Sequence, residues 1–241
     1  MSIPRIYYPN DLKNVTILPL DVKTSHYLLD VLRLKPQRSF VIFNGRGGEY
    51  HAQLVAVKQK IATIEIHAYQ EPLTESPLKI TLGQGISRGE RMDYAIQKSV
   101  ELGVNRITPL LTTRCNVSFT AERLQNRLAH WQGVIISACE QSGRCMVPEL
   151  QTVQPLSDWL TQSRSGCQWV CDPAGDPLTL TDAPHPPMTV LIGPEGGLTT
   201  EEIQLAQQNG FTSVSLGPRV LRTETAAVTI LSLLQYRFGD I

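Results

Sequence analysis

Two stretches decide the fold of this chain: Leu191-Ile192-Gly193-Pro194-Glu195-Gly196-Gly197 and Leu216-Gly217-Pro218-Arg219-Val220-Leu221-Arg222-Thr223-Glu224-Thr225. Each closes a short apolar run, at 190–192 and at 214–216, and such runs followed by glycine and proline predict buried strands that end in turns. Ligands of parallel α/β sheets bind beyond the carboxyl ends of the strands, and glycine lets the backbone approach a flat ligand closely. The two turns therefore predict a ligand site at this sheet edge.

The chain around these turns alternates predicted strands with predicted helices. Further short apolar runs predict strands at 79–82, 107–111 and 169–171, and helical stripes predict helices at 92–100, 124–138 and 224–236. Thr199-x-x-Glu202 matches a capping box that begins another helix, which should end at Asn209-Gly210. Strands alternating with helices predict an α/β domain with a largely parallel sheet.

The amino-terminal part follows a different pattern. Apolar residues alternate with polar ones at 50–56 and again at 62–68, on either side of Lys58-Gln59-Lys60, which predicts a hairpin. A further strand is predicted at 39–43, and one short helix at 26–34. The polar stretch 71–77 carries two prolines and marks a boundary. We therefore expect a small β-barrel over residues 1–72 and the α/β domain over residues 73–241.

The formal charge of the 241 residues is zero, with 22 Lys and Arg against 22 Asp and Glu. That total hides an uneven distribution: residues 1–72 carry +3, residues 79–144 carry +4 and residues 145–241 carry −6. Basic surfaces recruit nucleic acid because neutralised phosphates release counterions. The sequence thus excludes a polycationic protein. It leaves RNA binding by the basic residues 1–144 as an open alternative.

Several other classes are disfavoured by the residues. No Gly-x-Gly-x-x-Gly or P-loop motif is present, which disfavours dinucleotide and nucleoside triphosphate binding. Five cysteines without a C-x-x-C pair, and the absence of a signal peptide or of a long apolar span, predict a reduced, cytoplasmic protein outside the membrane. The five histidines lack the spacing of metal ligands, so no metal site is expected.

The two glycine-rich stretches, read together, closely resemble the SPOUT superfamily of knotted methyltransferases. Within it the chain resembles the ribosomal RNA small subunit methyltransferase E family, through Arg88-Gly89-Glu90-Arg91-Met92, the stretch 97–104, Glu140-Gln141-Ser142-Gly143-Arg144 and the turn at Arg46-Gly47-Gly48. Two departures are visible. Thr113-Arg114-Cys115-Asn116 stands where the family often has Glu-Arg-Ser, and Gly197-Leu198-Thr199 replaces the commoner Gly-Phe-Ser.

The resemblance implies a fold and an activity. The fold would be an N-terminal PUA-like β-barrel followed by a SPOUT α/β domain with a C-terminal trefoil knot. The cofactor would be S-adenosylmethionine, and the reaction would be methylation of N3 of one uridine in the 16S rRNA of the small ribosomal subunit. The family also implies a homodimer with the pocket at or near the subunit interface.

The resemblance also implies site residues. Those implied to bind the cofactor are Leu191, Gly193, Gly196, Gly197, Leu216, Gly217, Leu221, Thr223, Thr225 and Ala226. Arg222 would be the catalytic-side cation, since a guanidinium stabilises the anion that forms when N3 loses its proton. Glu224 and Glu195 are both candidates for the base, and Glu224 is equally suited to be an acid at a helix start. The arginines expected to contact RNA are Arg46, Arg88, Arg91, Arg114 and Arg144.

Two other functions compete with this interpretation. A SPOUT enzyme that methylates the 2′-hydroxyl of a ribose would share the glycine-rich turns. A non-catalytic RNA-binding assembly factor would keep the fold, although the intact turns and Arg222 disfavour it. Binding of S-adenosylmethionine separates the assembly factor from the two enzymes, and nucleoside analysis of the rRNA separates the enzymes from each other.

Overall fold

The computed structural model describes residues 3–115, 120–162, 164–180 and 187–241. The described chain divides into two compact units. The first contains the residues up to Glu75 together with Cys139–Val147, and the second contains Ser76–Ala138 together with Pro148–Ile241. The segment 139–147 joins the first unit although it lies far along the chain, which the sequence pattern did not predict.

The first unit is a five-stranded sheet with one helix. Its strands and helix are β1 (Arg5–Tyr7), β2 (Ile17–Pro19), α1 (Val22–His26), β3 (Ser39–Phe43), β4 (Glu49–Lys58) and β5 (Ile61–Gln70). The strands pair in the order β1-β3-β4-β5-β2, and β1 runs parallel to β3 while the other pairs are antiparallel. The predicted helix at 26–34 is wrong in extent: α1 starts earlier and continues as a π-helical turn over Tyr27–Val31.

The hairpin of β4 and β5 forms where the alternation predicted it. Gln59 and Lys60 make its turn with φ of 50° and 64°, the left-handed conformation that two-residue hairpin turns require. Apolar side chains on one face of the sheet are fully buried in a core, because period two directs alternate residues to the same side. That core includes Phe40, Ile42, Ala52, Leu54, Ala62 and Ile64.

The second unit is an α/β arrangement around a seven-stranded sheet. Its elements are β6 (Ile80–Gly85), α2 (Glu90–Glu101), β7 (Arg106–Leu111), α3 (Ala121–Ser142), β8 (Glu149–Leu150), β9 (Gln154–Pro155), α4 (Leu156–Leu160), β10 (Cys167–Pro177), β11 (Met188–Ile192), α5 (Thr200–Gln208), β12 (Thr212–Ser215) and α6 (Thr223–Phe238). The last residues of α3, from Cys139 on, belong to the first unit. The order is β12-β10-β11-β6-β7-β8, with β9 paired to β7.

Every pairing in this sheet, within the described residues, is parallel, as the alternation predicted. The carboxyl ends of β10, β11 and β12 consequently meet at one edge. The capping box that the sequence predicted begins α5: the Thr199 hydroxyl accepts from the backbone N–H of Glu202, and the Glu202 carboxylate accepts from Thr199. Both predicted glycine-rich turns therefore lie side by side between strand ends and helix starts.

None of the helices among the described residues is long and apolar enough to cross a membrane.

Candidate functional site

A cavity of about 300 Å³ lies at the carboxyl ends of β11 and β12 and at the bulge of β10. Both glycine-rich turns line it, so the structure brings the two stretches together at one surface. Eight residues expected to bind the cofactor line this cavity: Gly193, Gly196, Gly197, Leu216, Gly217, Leu221, Thr223 and Ala226. We call it the glycine-loop cavity.

Glycine is required at two of these positions for identifiable reasons. A Cβ on Gly193 would lie 2.9 Å from the backbone nitrogen of Leu198, so the turn closes only without a side chain. Gly217 has φ of +102°, a conformation that side chains rarely adopt, and a Cβ there would meet no protein atom. The first glycine keeps the turn tight, and the second leaves open space at the wall of the cavity.

The start of α6 is fastened to the sheet by a buried polar cluster. The Thr223 hydroxyl donates to the carbonyl of Gly193 at 2.6 Å and accepts from the side-chain amide of Gln84 at 2.9 Å. Gln84 is the next-to-last residue of β6 and is fully buried. This cluster joins one turn to the other, and nothing in the local sequence around Gln84 indicated it.

Two expected cofactor residues lie behind or beside the cavity. Leu191 is fully buried inside β11 and packs in the core, while its neighbour Ile192 lines the cavity. Thr225 is exposed on the first turn of α6. Each of the two directly precedes a residue that lines the cavity, Ile192 or Ala226. The sequence therefore placed these two contacts one position too early.

The two candidate bases have different surroundings. The Glu195 carboxylate accepts from the backbone N–H of Arg88 at 2.8 Å and lies 3.7 Å from the Arg91 guanidinium. Glu224 is half-buried in the first turn of α6, and its Oε2 atom is buried with no hydrogen-bond partner among the described residues. Arg222 precedes α6 as its N-cap residue and is exposed.

Arg114 is the expected RNA-binding residue that reaches the cavity. Its Nη1 donates to the carbonyls of Gly196 at 3.0 Å and Leu198 at 3.2 Å, which fixes the loop after β7 to the first glycine-rich turn. Thr113 adds to this attachment because its backbone N–H donates to Glu202 at 2.7 Å. Asn116, which follows in the same sequence pattern, lies outside the described residues.

The other arginines expected to contact RNA lie elsewhere. Arg88 and Arg91 are exposed at the start of α2. Arg46 is exposed in the turn between β3 and β4. Arg144 differs from expectation: its side chain is only 4% exposed and pairs with Glu75 at 2.8 Å. Because this buried guanidinium is already paired with a carboxylate, the structure gives Arg144 a structural role rather than one at the RNA surface.

The cavity also contains residues that the sequence did not single out. Asp172, at the bulge in β10, is one of them, and its carboxylate accepts from the Ser213 hydroxyl and the Ala174 N–H, both at 3.0 Å. Cys171 also lines the cavity, and burial raises the pKa of its thiol to about 12, so the thiol stays neutral near pH 7. The signal that could have found them is their place at and directly after the end of the apolar run 169–171, a third predicted strand.

No group of His, Cys, Asp and Glu within the described ranges is arranged to hold a metal ion. His185, one of the five histidines, lies outside those ranges.

Comparison with known proteins identifies the family. Residues 74–235 match the family described as RNA methyltransferase domain, and residues 20–66 match the RNA methyltransferase PUA domain. A protein of Buchnera aphidicola named ribosomal RNA small subunit methyltransferase E is 36% identical over 99% of this chain and 98% of its own length.

Solved structures agree with that assignment over the whole chain. A Legionella pneumophila protein solved with the cofactor S-adenosylmethionine bound is 40% identical, with a TM-score of 0.95 and full coverage of both chains. The ribosomal RNA small subunit methyltransferase E of Neisseria gonorrhoeae, solved bound to S-adenosylmethionine, is 37% identical, with a TM-score of 0.92 and the same coverage. With two domain families and full-length relatives in agreement, the chain belongs to the ribosomal RNA small subunit methyltransferase E family of RNA methyltransferases.

Proposed function

We propose that this protein transfers the methyl group of S-adenosylmethionine to N3 of one uridine in the 16S rRNA of the small ribosomal subunit. The observation that carries the proposal is the glycine-loop cavity, at the strand ends of a fold shared over its full length with S-adenosylmethionine-bound relatives. We propose the rRNA as substrate because of the family to which the chain belongs. We propose N3 of uridine as the methylated atom because the sequence motifs resemble that family. We expect the protein to act in the cytoplasm, where ribosomal subunits are assembled.

The cavity fits the adenosine part of the cofactor. Its volume of about 300 Å³ lies at the lower end of small-molecule sites, and much of its wall is apolar: Ile192, Leu198, Val214, Leu216, Leu221 and Ala226. Open space beside Gly217 admits a flat ring against the backbone. The eight lining residues expected from sequence would hold the cofactor, with Leu191 and Thr225 supporting them from the adjacent strand and helix. When bound, the cofactor supplies an electrophilic methyl group on a sulfonium.

The protein must remove the weakly acidic N3 proton or stabilise the anion that its loss leaves on the uracil. We assign Glu224 as the base, supported by its buried Oε2 atom without a hydrogen-bond partner among the described residues. Glu195 is less suited, because the backbone of Arg88 and the guanidinium of Arg91 already hold its carboxylate. Arg222, one residue before α6, would stabilise the uracil anion with its guanidinium.

RNA would be bound by both parts of the chain. The exposed residues Arg46, Arg88, Arg91 and Arg114 are suited to phosphate contact, in keeping with the basic front half of the sequence. We further propose that residues 1–72 form a PUA-like barrel and residues 73–241 a SPOUT domain whose C-terminal segment is threaded as a trefoil knot. The connection from β12, at one sheet edge, to α6, which packs on α2, supports that threading.

A homodimer completes the proposal. Leu233 and Tyr236 lie on the exposed side of α6, where Tyr236 is 75% exposed. Large apolar side chains on one exposed helix face are suited to burial against a partner.

The experiment that tests the proposed function is nucleoside analysis of 16S rRNA from a strain that lacks this gene. N3-methyluridine should disappear and should return when the gene is restored. Persistence of N3-methyluridine in a strain without a second such enzyme would overturn the proposal, and the loss of a 2′-O-methylated nucleoside instead would favour the ribose methyltransferase.

A further inference from the structure

A second cavity adjoins the glycine-loop cavity within the same unit. Its volume is about 630 Å³, and its walls are mostly polar. We call it the polar cavity. Arg114, Asp172, Leu198 and Ile203 line both cavities, so the two cavities share this wall, and Arg114 and Asp172 are its charged residues.

These two residues have opposite charges and are not paired with each other. Neither forms an ion pair within 4.0 Å in the described part of the chain, since the ion pairs there involve other residues. Arg114 is exposed and Asp172 is half-buried, so both charges are accessible to a ligand at the cavity wall. The arrangement is complementary to a ligand that carries both charges.

Asp172 is held in position for such a ligand. Its Oδ1 accepts from the Ala174 N–H and its Oδ2 accepts from the Ser213 hydroxyl, both at 3.0 Å. A carboxylate has about four lone-pair sites, so each oxygen retains capacity to accept from a cation. The bulge in β10 between Cys171 and Asp176 brings the carboxylate to this place.

Arg114 is fixed in a corresponding way. Both hydrogen bonds to the first glycine-rich turn come from Nη1. Its Nε and Nη2 donors make no hydrogen bond with the described residues, and they are the donors that bind a carboxylate as a fork.

We infer that the junction of the two cavities binds the amino-acid end of the cofactor, with Asp172 accepting from its α-ammonium and Arg114 donating to its α-carboxylate. The inference rests on the proposed function, because it assumes that the apolar cavity holds the adenosine. It adds a role for Asp172 that the sequence did not indicate, and it gives Arg114 a cofactor contact in place of the RNA contact expected above.

The test measures binding by calorimetry with three ligands. S-adenosylhomocysteine carries the whole amino-acid group, its decarboxylated analogue keeps only the amine, and 5′-methylthioadenosine lacks both. Asp172→Asn should weaken the binding of S-adenosylhomocysteine and of its decarboxylated analogue by roughly tenfold or more, as expected for a hydrogen bond to a charged group. It should leave 5′-methylthioadenosine within about twofold of wild type. Asp240→Asn, with the same charge change outside both cavities, should bind all three like wild type.

The outcomes separate the inference from the proposed function. Equal weakening of all three ligands by Asp172→Asn would place the carboxylate at the ribose and overturn the inference. Unchanged binding of S-adenosylhomocysteine by that variant would overturn it as well. If the decarboxylated analogue bound wild type as tightly as S-adenosylhomocysteine, the role of Arg114 would be wrong. If wild type bound none of the ligands, the proposed function itself would fail.

Discussion

The side-chain amide of Gln84 donates to the hydroxyl of Thr223 at 2.9 Å, although the two residues are 139 positions apart in the chain. Thr223 in turn donates to Gly193 at 2.6 Å. The end of β6, the first glycine-rich turn and the start of α6 are therefore joined by one buried hydroxyl. A hydroxyl that accepts and donates at once fixes the two turns relative to each other.

Removing that hydroxyl should loosen the cavity. In Thr223→Val the Gly193 carbonyl loses its shortest partner, so we expect a loss of about 1–3 kcal/mol in the free energy of unfolding and weaker binding of S-adenosylhomocysteine. Thr229→Val is the matched control, because the Thr229 hydroxyl bonds only to the Thr225 carbonyl of its own helix. Urea unfolding and calorimetry measure both effects. Equal behaviour of the two variants would show that the cluster does not support the cavity.

A side chain at Gly217 should block the cofactor. Valine there would occupy the open space at the cavity wall and would be strained at φ of +102°. We expect Gly217→Val to lose cofactor binding while residues 1–72 stay folded, as measured by calorimetry and by amide hydrogen exchange. Gly210→Val has similar backbone strain at φ of +89° outside the cavity, so it separates strain from obstruction. Unchanged cofactor affinity in Gly217→Val would contradict the placement of the adenine.

The base is tested by comparing two carboxylates. Glu224→Gln keeps the size of the side chain but cannot take a proton, so kcat should fall by about a hundredfold or more, with S-adenosylhomocysteine binding within about twofold of wild type. Glu195→Gln should have a smaller effect on kcat, because the Glu195 carboxylate is already held by Arg88 and Arg91. Methyl transfer from labelled cofactor to 30S particles measures kcat. The reverse order of effects would assign the base to Glu195.

The dimer is tested at the exposed side of α6. Leu233→Glu combined with Tyr236→Glu places two charges where we expect an apolar interface, and a charge there is costly to bury. Sedimentation equilibrium should show a dimer for wild type and a monomer for the double variant. Arg237→Glu, also on the last turns of α6, is a comparison outside that apolar pair. If the wild-type protein sedimented as a monomer, the proposed homodimer would be wrong.

The sequence predicted what local patterns specify. The capping box at Thr199 and Glu202 was found because its two residues are three positions apart and their pairing has a known spacing. Asp172 was missed because the bulge that positions it depends on pairing with β12, more than 35 residues away. Arg144 was expected at the RNA, but its partner Glu75 lies 69 positions earlier. Motifs and periodicity therefore indicated the elements and both turns, whereas contacts between distant segments required the structure.

The last prediction concerns pH and Glu140, which lies in the first unit. Burial raises the pKa of this carboxyl above its ordinary value of 4.5, although the Tyr7 N–H, the Tyr27 hydroxyl and the charge of Arg5 act in the opposite direction. A carboxyl whose folded-state pKa is raised binds its proton more tightly in the folded protein. Its contribution to stability is therefore complete below pH 4.5 and is lost as the pH rises through the folded-state pKa.

Glu140→Gln removes this titration while keeping a side chain of the same shape. The free energy of unfolding of wild type minus that of Glu140→Gln should therefore decrease as the pH rises from below 4.5 toward neutrality. Urea unfolding followed by circular dichroism over that range measures it. Glu122→Gln, an exposed position in the first turn of the same helix, is the control and should give a difference that does not follow this trend. A difference that increases with pH for Glu140→Gln would mean that the hydrogen bonds from Tyr7 and Tyr27 outweigh burial and that the carboxylate is the form the fold prefers.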